Sequence, residues 1–176
     1  MTEDTSFLYF AYGSNMLSRR LRATDRAPSA WPLGVGYVAG RRLTFDKVGK
    51  DGSGKCDMEA VSESHARVYG VLFRVSATDR PALDRVESLG IGYRAEQVDV
   101  LTPTVPYHAL TYTAIEKCEG LRPYPWYRDI VIAGAVEHRL PRAYLEYLHS
   151  VPSTPDSDDS RQQRYERLFP EIVYRT

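Results

Sequence analysis

Phe7-Leu8-Tyr9-Phe10-Ala11-Tyr12 is apolar on both faces, the pattern of a central strand covered on two sides. It stops at Gly13-Ser14-Asn15, and Met16-Leu17-Ser18-Arg19-Arg20-Leu21 then reads as helix. Residues 33–48 read as strand, with Val35, Tyr37, Leu43 and Phe45 directed inward, and residues 47–55 form a Gly/Lys loop. Cys56-Asp57-Met58-Glu59-Ala60 alternates like an exposed strand, and residues 67–75 place Tyr69, Val71, Phe73 and Val75 on one face. Residues 76–88 give the clearest helix: Ser76 or Thr78 caps it, Pro81 suits its first turn and Gly90 ends it. Strands at 93–101 and 107–114 follow, joined around Pro103 and Pro106, then helices at 126–138 and 141–151. Strands come first with helices interspersed, which favours a mixed barrel or other α+β domain over a doubly wound sheet. Residues 152–160 are rich in Pro, Ser and Asp, so the chain divides into one domain, 1–151, and a polar linker and tail, 152–176. Tyr165, Leu168 and Phe169 are the tail's residues available to dock.

Composition narrows the classes. The 176 residues suit a single domain, and 43% hydrophobic with 26% charged residues is ordinary for a globular chain. The 23 Lys and Arg cancel the 23 Asp and Glu, so no global field draws in nucleic acid or an anionic membrane. Cys56 and Cys118 are too few for a disulfide framework and fit a reducing compartment. Met1-Thr2-Glu3-Asp4-Thr5 is acidic, unlike the start of a signal peptide, and no apolar run approaches the roughly 20 residues that span a bilayer. The expected setting is the cytoplasm. Tyrosine is in surplus, 13 against 5 Phe and 2 Trp. An aromatic ring with a hydroxyl suits a pocket that is both apolar and orienting, although most of the thirteen read as ordinary core and surface.

Several motifs invite chemistry. Gly49-Lys50-Asp51-Gly52-Ser53-Gly54-Lys55-Cys56 has phosphate-loop spacing, but Cys stands where a magnesium-binding hydroxyl is needed and a strand-like run follows. It reads as a hairpin loop. His65, His108, His138 and His149 are scattered without metal-ligand spacing. Arg19, Arg20 and Arg22 read as a solvated basic face, with anion binding the lesser option. Glu87 is more informative: it lies one turn after Leu83, beside the apolar stripe of its helix. A carboxylate buried there has its pKa raised toward the range useful for proton transfer. The plainer reading is a partly exposed last-turn residue, and Asp84 competes in the same helix. Tyr12-Gly13-Ser14-Asn15 is a Gly turn after a buried strand, either a cradle of backbone N–H groups for an anion or an ordinary turn with Asn15 or Ser14 as helix cap.

These two stretches carry a resemblance. Tyr9-Phe10-Ala11-Tyr12-Gly13-Ser14-Asn15 resembles the Y-F-A-Y-G-S-N signature of the γ-glutamylcyclotransferases. Gly70-Val71-Leu72-Phe73 is similar to the family's G-V-x-[FW] strand. Leu83-Asp84-Arg85-Val86-Glu87 with Gly92-Tyr93 is similar to its L-D-x-x-E-G…Y segment. Tyr127, Gly134-Ala135 and Leu140-Pro141 with Tyr144 resemble its closing stretch. The match runs over roughly residues 7–150; Ser88 stands where the family often has Gly, and the tail lies beyond it. The resemblance implies a small mixed β-barrel with flanking helices, no metal or organic cofactor, and cyclisation of a γ-glutamyl donor to 5-oxoproline with release of an amino acid or amine. It implies Glu87 as the proton relay, and Tyr12, Gly13, Ser14, Asn15, Tyr93 and Tyr127 as the substrate pocket. Related branches acting on glutathione or γ-glutamyl-amines tend to read Y-G-S-L or Y-G-T-L, so Asn15 points to γ-glutamyl-amino acids. The expected partner is a γ-glutamyl small molecule rather than nucleic acid or membrane, with a homodimer left open. Two other readings stay open: a cyclotransferase for γ-glutamyl-amines or a γ-glutamylated biosynthetic intermediate, and a non-catalytic binding module of the same fold.

Overall fold

The protein, seen in a computed structural model, is described over residues 5–170. Most of the acidic start and the end of the tail, residues 1–4 and 171–176, lie outside the described residues. Five strands form one sheet in the order β2 (Trp31–Ala39), β5 (Arg67–Ser76), β1 (Ser6–Ala11), β7 (Tyr107–Ala114) and β6 (Tyr93–Val100). The double-sided apolar run thus becomes the middle strand, antiparallel to β5 and parallel to β7. Tyr37 and Leu101 exchange backbone hydrogen bonds of 2.9 and 2.8 Å, joining the two edges of the sheet at one point. A second sheet pairs β3 (Arg41–Val48) with β4 (Gly54–Ala60). The fold is α+β with a mixed sheet and flanking helices, as expected. Phe10, Leu72 and Phe73 are buried almost completely at its centre. Each such side chain contributes about 1.5–3 kcal/mol through burial.

The local expectations need four corrections. The single strand at 33–48 is two strands in different sheets, because Gly40 takes a left-handed φ of 67° and turns the chain between them. The strand at 56–60 is not exposed: Cys56, Asp57 and Met58 are buried, since the second sheet packs against the first. The helix after Asn15 shrinks to a 3₁₀ turn, Ser14–Met16, and one α-helical turn, α1 (Ser18–Leu21). The helix read at 76–88 is a 3₁₀ turn, Ala77–Asp79, followed by α2 (Arg80–Val86). The Ser76 hydroxyl caps it by accepting from the Thr78 N–H. The first left-handed residue after it is Ser88 at φ 52°, two positions before Gly90 at φ 85°.

The later helices are α3 (Pro125–Glu137), α4 (Arg142–Ser150) and α5 (Asp159–Leu168). Pro125 starts α3 with its φ already set, and Ile130, Val131, Ala133 and Ala135 are buried along it. Within the tail, the Asp158 carboxylate caps α5, and the Tyr165 ring stacks on Trp126 at 3.8 Å.

One close approach positions the turn after β1. A β-carbon on Gly134 would stand 2.5 Å from the Leu17 nitrogen and 2.7 Å from the Met16 β-carbon. Only glycine lets α3 support this turn. Gly134→Ala is therefore expected to lose about 1–3 kcal/mol, as overpacking does, and to lower Tm in a thermal melt by several degrees. Ser88→Gly has the opposite sign: it removes a left-handed penalty of about 1–2 kcal/mol at a somewhat smaller entropic cost. A Tm higher by a few degrees is the expected result.

Candidate active site

The seven residues singled out by the resemblance line one pocket. Tyr12, Gly13, Ser14, Asn15, Glu87, Tyr93 and Tyr127 meet there with Tyr9, Cys56 and Tyr112 around a cavity of about 50 Å³. It shares Ser14, Glu87, Tyr93 and Tyr127 with a second cavity of about 310 Å³, so inner pocket and vestibule form one cleft.

Glu87 directly follows the last residue of α2, and its N–H bonds the Leu83 carbonyl at 3.1 Å. A negative charge at this end of a helix is unfavourable, and burial adds to the cost. Burial raises the Glu87 pKa above the usual carboxylate value, against the opposing pulls of Arg26, the Asn15 hydrogen bond, Arg20 and Lys47. The Asn15 amide donates to Glu87 Oε1 at 2.8 Å and to the Tyr9 hydroxyl at 3.1 Å. Its carbonyl oxygen accepts from Arg26 at 3.3 Å. Asn15 is thus fully engaged in orienting Glu87, and neither it nor Ser14 serves as a helix cap. The N–H groups of Ser14 and Asn15 open a 3₁₀ turn, where first-turn amides have no partner within the helix.

The tyrosine walls are held from behind. The Tyr12 hydroxyl donates to the Tyr112 carbonyl at 2.6 Å, and the Tyr112 hydroxyl donates to Asp84 at 2.5 Å. Cys56 anchors two more through its backbone: its N–H donates to the Tyr127 hydroxyl at 3.1 Å and its carbonyl accepts from Tyr93 at 3.0 Å. Burial raises the pKa of Tyr9, Tyr12, Tyr93 and Tyr127, so all four stay protonated. The Cys56 thiol is pushed up to about 12 by burial and is not a nucleophile at neutral pH. Asp84 stands behind the wall, with Arg80 at 2.8 Å.

Sequence reasoning missed the vestibule. Arg20 is not on a solvated face: its Nε donates to Ser14 Oγ at 3.1 Å, and its side chain lines the vestibule with Arg26. Lys47, Lys50 and Lys55 bring the Gly/Lys loop to the same wall. That loop leads into β4 rather than a helix, and Lys55 pairs internally with Asp51 at 2.8 Å. The hairpin reading of this loop holds; what the spacing did not reveal is that its lysines line the cleft. Arg161 and Tyr165 of α5 complete the wall from the tail. Among the described residues, no cluster of His, Cys, Asp and Glu is arranged to hold a metal ion, and no helix is long and apolar enough to cross a membrane.

Residues 67–148 match the AIG2-like family. The γ-glutamylcyclotransferase of Bos taurus is 30% identical over 152 residues, 83% of this chain and 79% of the bovine one. That of Homo sapiens is 30% identical over 157 residues, 85% of this chain and 80% of the human one. A solved structure described as a γ-glutamyl cyclotransferase superposes with a TM-score of 0.81 at 25% identity, covering 93% of this chain and 99% of the other.

The raised pKa of Glu87 has a consequence for stability. A carboxyl whose folded pKa exceeds its unfolded value binds protons more tightly when folded, so its contribution turns unfavourable as pH rises above the ordinary 4.5. Glu87→Gln keeps the acceptor for Asn15 and removes the charge. Its Tm is expected to exceed wild type at pH 8 and to match it at pH 4; equal shifts at both would contradict burial as the cause.

Proposed function

The chain belongs to the γ-glutamylcyclotransferase family, and from that membership we propose that it releases an amino acid from a γ-glutamyl donor while the glutamyl part closes to 5-oxoproline. One observation carries this reading: Glu87, the only carboxylate of the inner pocket among the described residues, has a raised pKa and faces tyrosines that stay protonated.

The donor's α-amine attacks its own γ-carbonyl, a new C–N bond closes a five-membered ring, and the γ-amide C–N bond breaks. Intramolecular attack needs no enzyme nucleophile, so binding acts mainly by freezing the donor in its cyclising shape. Glu87 takes a proton from the α-ammonium to free its lone pair and passes it to the departing nitrogen. The second proton lost from the α-nitrogen ends on the same leaving group, so nothing is consumed. The N–H groups of residues 13–15 hold the anionic end of the glutamyl part or the developing oxyanion. Tyr12, Tyr93 and Tyr127 shape the pocket around it. Asn15 keeps Glu87 aimed rather than touching the donor with its amide. A reducing, cytoplasmic setting suits a chain whose Cys56 and Cys118 are both unpaired.

The test is 5-oxoproline release from L-γ-glutamyl-L-alanine. Glu87→Gln is expected to lower kcat by about 10²–10⁴-fold, the range of acid–base catalysis, with circular dichroism unchanged. Asp84→Asn is expected to stay within a few-fold of wild type, because an amide oxygen still accepts from Tyr112. A reversal of the two results overturns the assignment of Glu87.

A further inference from the structure

The vestibule carries more positive charge than its own carboxylates neutralise. Of the cations on its wall, Lys55 pairs with Asp51, and Arg161 pairs with Asp156 behind it. Arg20, Arg26 and Lys47 have no carboxylate oxygen within 4 Å among the described residues. Each is steadied by a neutral acceptor instead: Ser14 Oγ for Arg20, Asn15 Oδ1 for Arg26, and the Val48 carbonyl for Lys47 at 2.6 Å. Rings add to this, Phe169 under Arg20 at 5.9 Å and Tyr93 under Lys47 at 4.9 Å. Lys47 is nonetheless a buried residue, 8% exposed, and burial lowers its pKa. The Arg20 pKa is lowered by burial and then by the charge of Arg26, so these like charges are held together at a cost.

Such an arrangement is most stable with an anion in place. A γ-glutamyl donor ending in a neutral amino acid brings two carboxylates, and the inner pocket takes the one on the glutamyl part. That leaves a single carboxylate for these three cations, with the exposed Lys50 on the same wall as a fourth. Glu87 offsets one of them only when ionised. An amine leaving group would bring no anion at all.

We propose that the vestibule is a leaving-group subsite for a dicarboxylic amino acid, so that the preferred donors are γ-glutamyl-glutamate and γ-glutamyl-aspartate. The subsite rests on the cyclotransferase reading of the inner pocket. Its leaving group is held by Arg20, Arg26 and Lys47, with the apolar stem of the side chain over Tyr93 and Trp126. Arg26 also touches Asn15, so it links the subsite to Glu87. Lys47 shares no hydrogen bond with Asn15, though its charge acts on Glu87; that pull falls on both donors alike, so the ratio of their rates in a Lys47 variant still reads the subsite.

The experiment compares kcat/KM for 5-oxoproline release from L-γ-glutamyl-L-glutamate and from L-γ-glutamyl-L-glutamine, which differ by one charge at nearly equal shape. The acidic donor is expected to win by about tenfold in wild type, the worth of one charge-assisted contact. The advantage is expected to shrink as ionic strength rises and to fall several-fold in Lys47→Gln. The wild-type ratio needs no variant to fold, so it decides the matter alone. Equal rates, or preference for the glutamine donor, overturn the subsite while leaving the cyclotransferase reading intact. Release of 5-oxoproline from neither these donors nor γ-glutamyl-alanine overturns that reading and the subsite with it.

Discussion

The hydrogen bond from the Asn15 amide to Glu87 joins two parts of the chain that have no other reason to meet at this point. One part is the turn that leaves the central strand β1; the other is the end of a two-turn helix. Left alone, a carboxylate at that helix end would swing toward water, away from the burial and the helix dipole that both disfavour its charge. The amide prevents this, and Arg26 and the Tyr9 hydroxyl hold the amide in turn. The turn itself is fixed by α3, whose Gly134 admits the Met16–Leu17 backbone at contact distance. Sheet, turn, helix and carboxylate therefore form one mechanical unit.

The inner pocket is chemically quiet apart from Glu87. Its tyrosines and its thiol are all shifted upward by burial, so none changes charge near neutral pH. They supply rings and fixed hydroxyls. Cys56 serves through its backbone rather than its sulfur, since a strand residue can offer an N–H and a carbonyl to two hydroxyls at once. A part of the tyrosine surplus thus has a structural use: a ring packs the core while its hydroxyl ties β4 to α3 and to the start of β6.

Much of this was legible in the sequence. The doubly apolar run gave away the central strand, because only a strand with neighbours on both faces tolerates it. The ordered motifs brought all seven candidate residues to one pocket. Periodicity could not separate β2 from β3, since a single left-handed Gly40 breaks the run without breaking its pattern. It misjudged Cys56-Asp57-Met58 because alternation does not reveal a sheet folded over on top. The vestibule was hidden for another reason. Arg20 and Arg26 are far from Lys47 in the chain, and each alone looks like an ordinary surface cation. Their meaning lies in what they lack, a carboxylate partner, and only three dimensions show that.

The cleft is also divided in origin. Its depth is built from β1, the turn after it and the end of α2, which every other part of the fold braces. Its mouth is walled by a hairpin loop and by α5, reached through the stacking of Tyr165 on Trp126. Substitutions act unequally on such a design. Insertions in the hairpin or exchanges in the last helix can reshape what is admitted without disturbing the amide that aims Glu87. The segments that shape the mouth are thereby separate from those that hold the carboxylate, so a change in the one leaves the other standing.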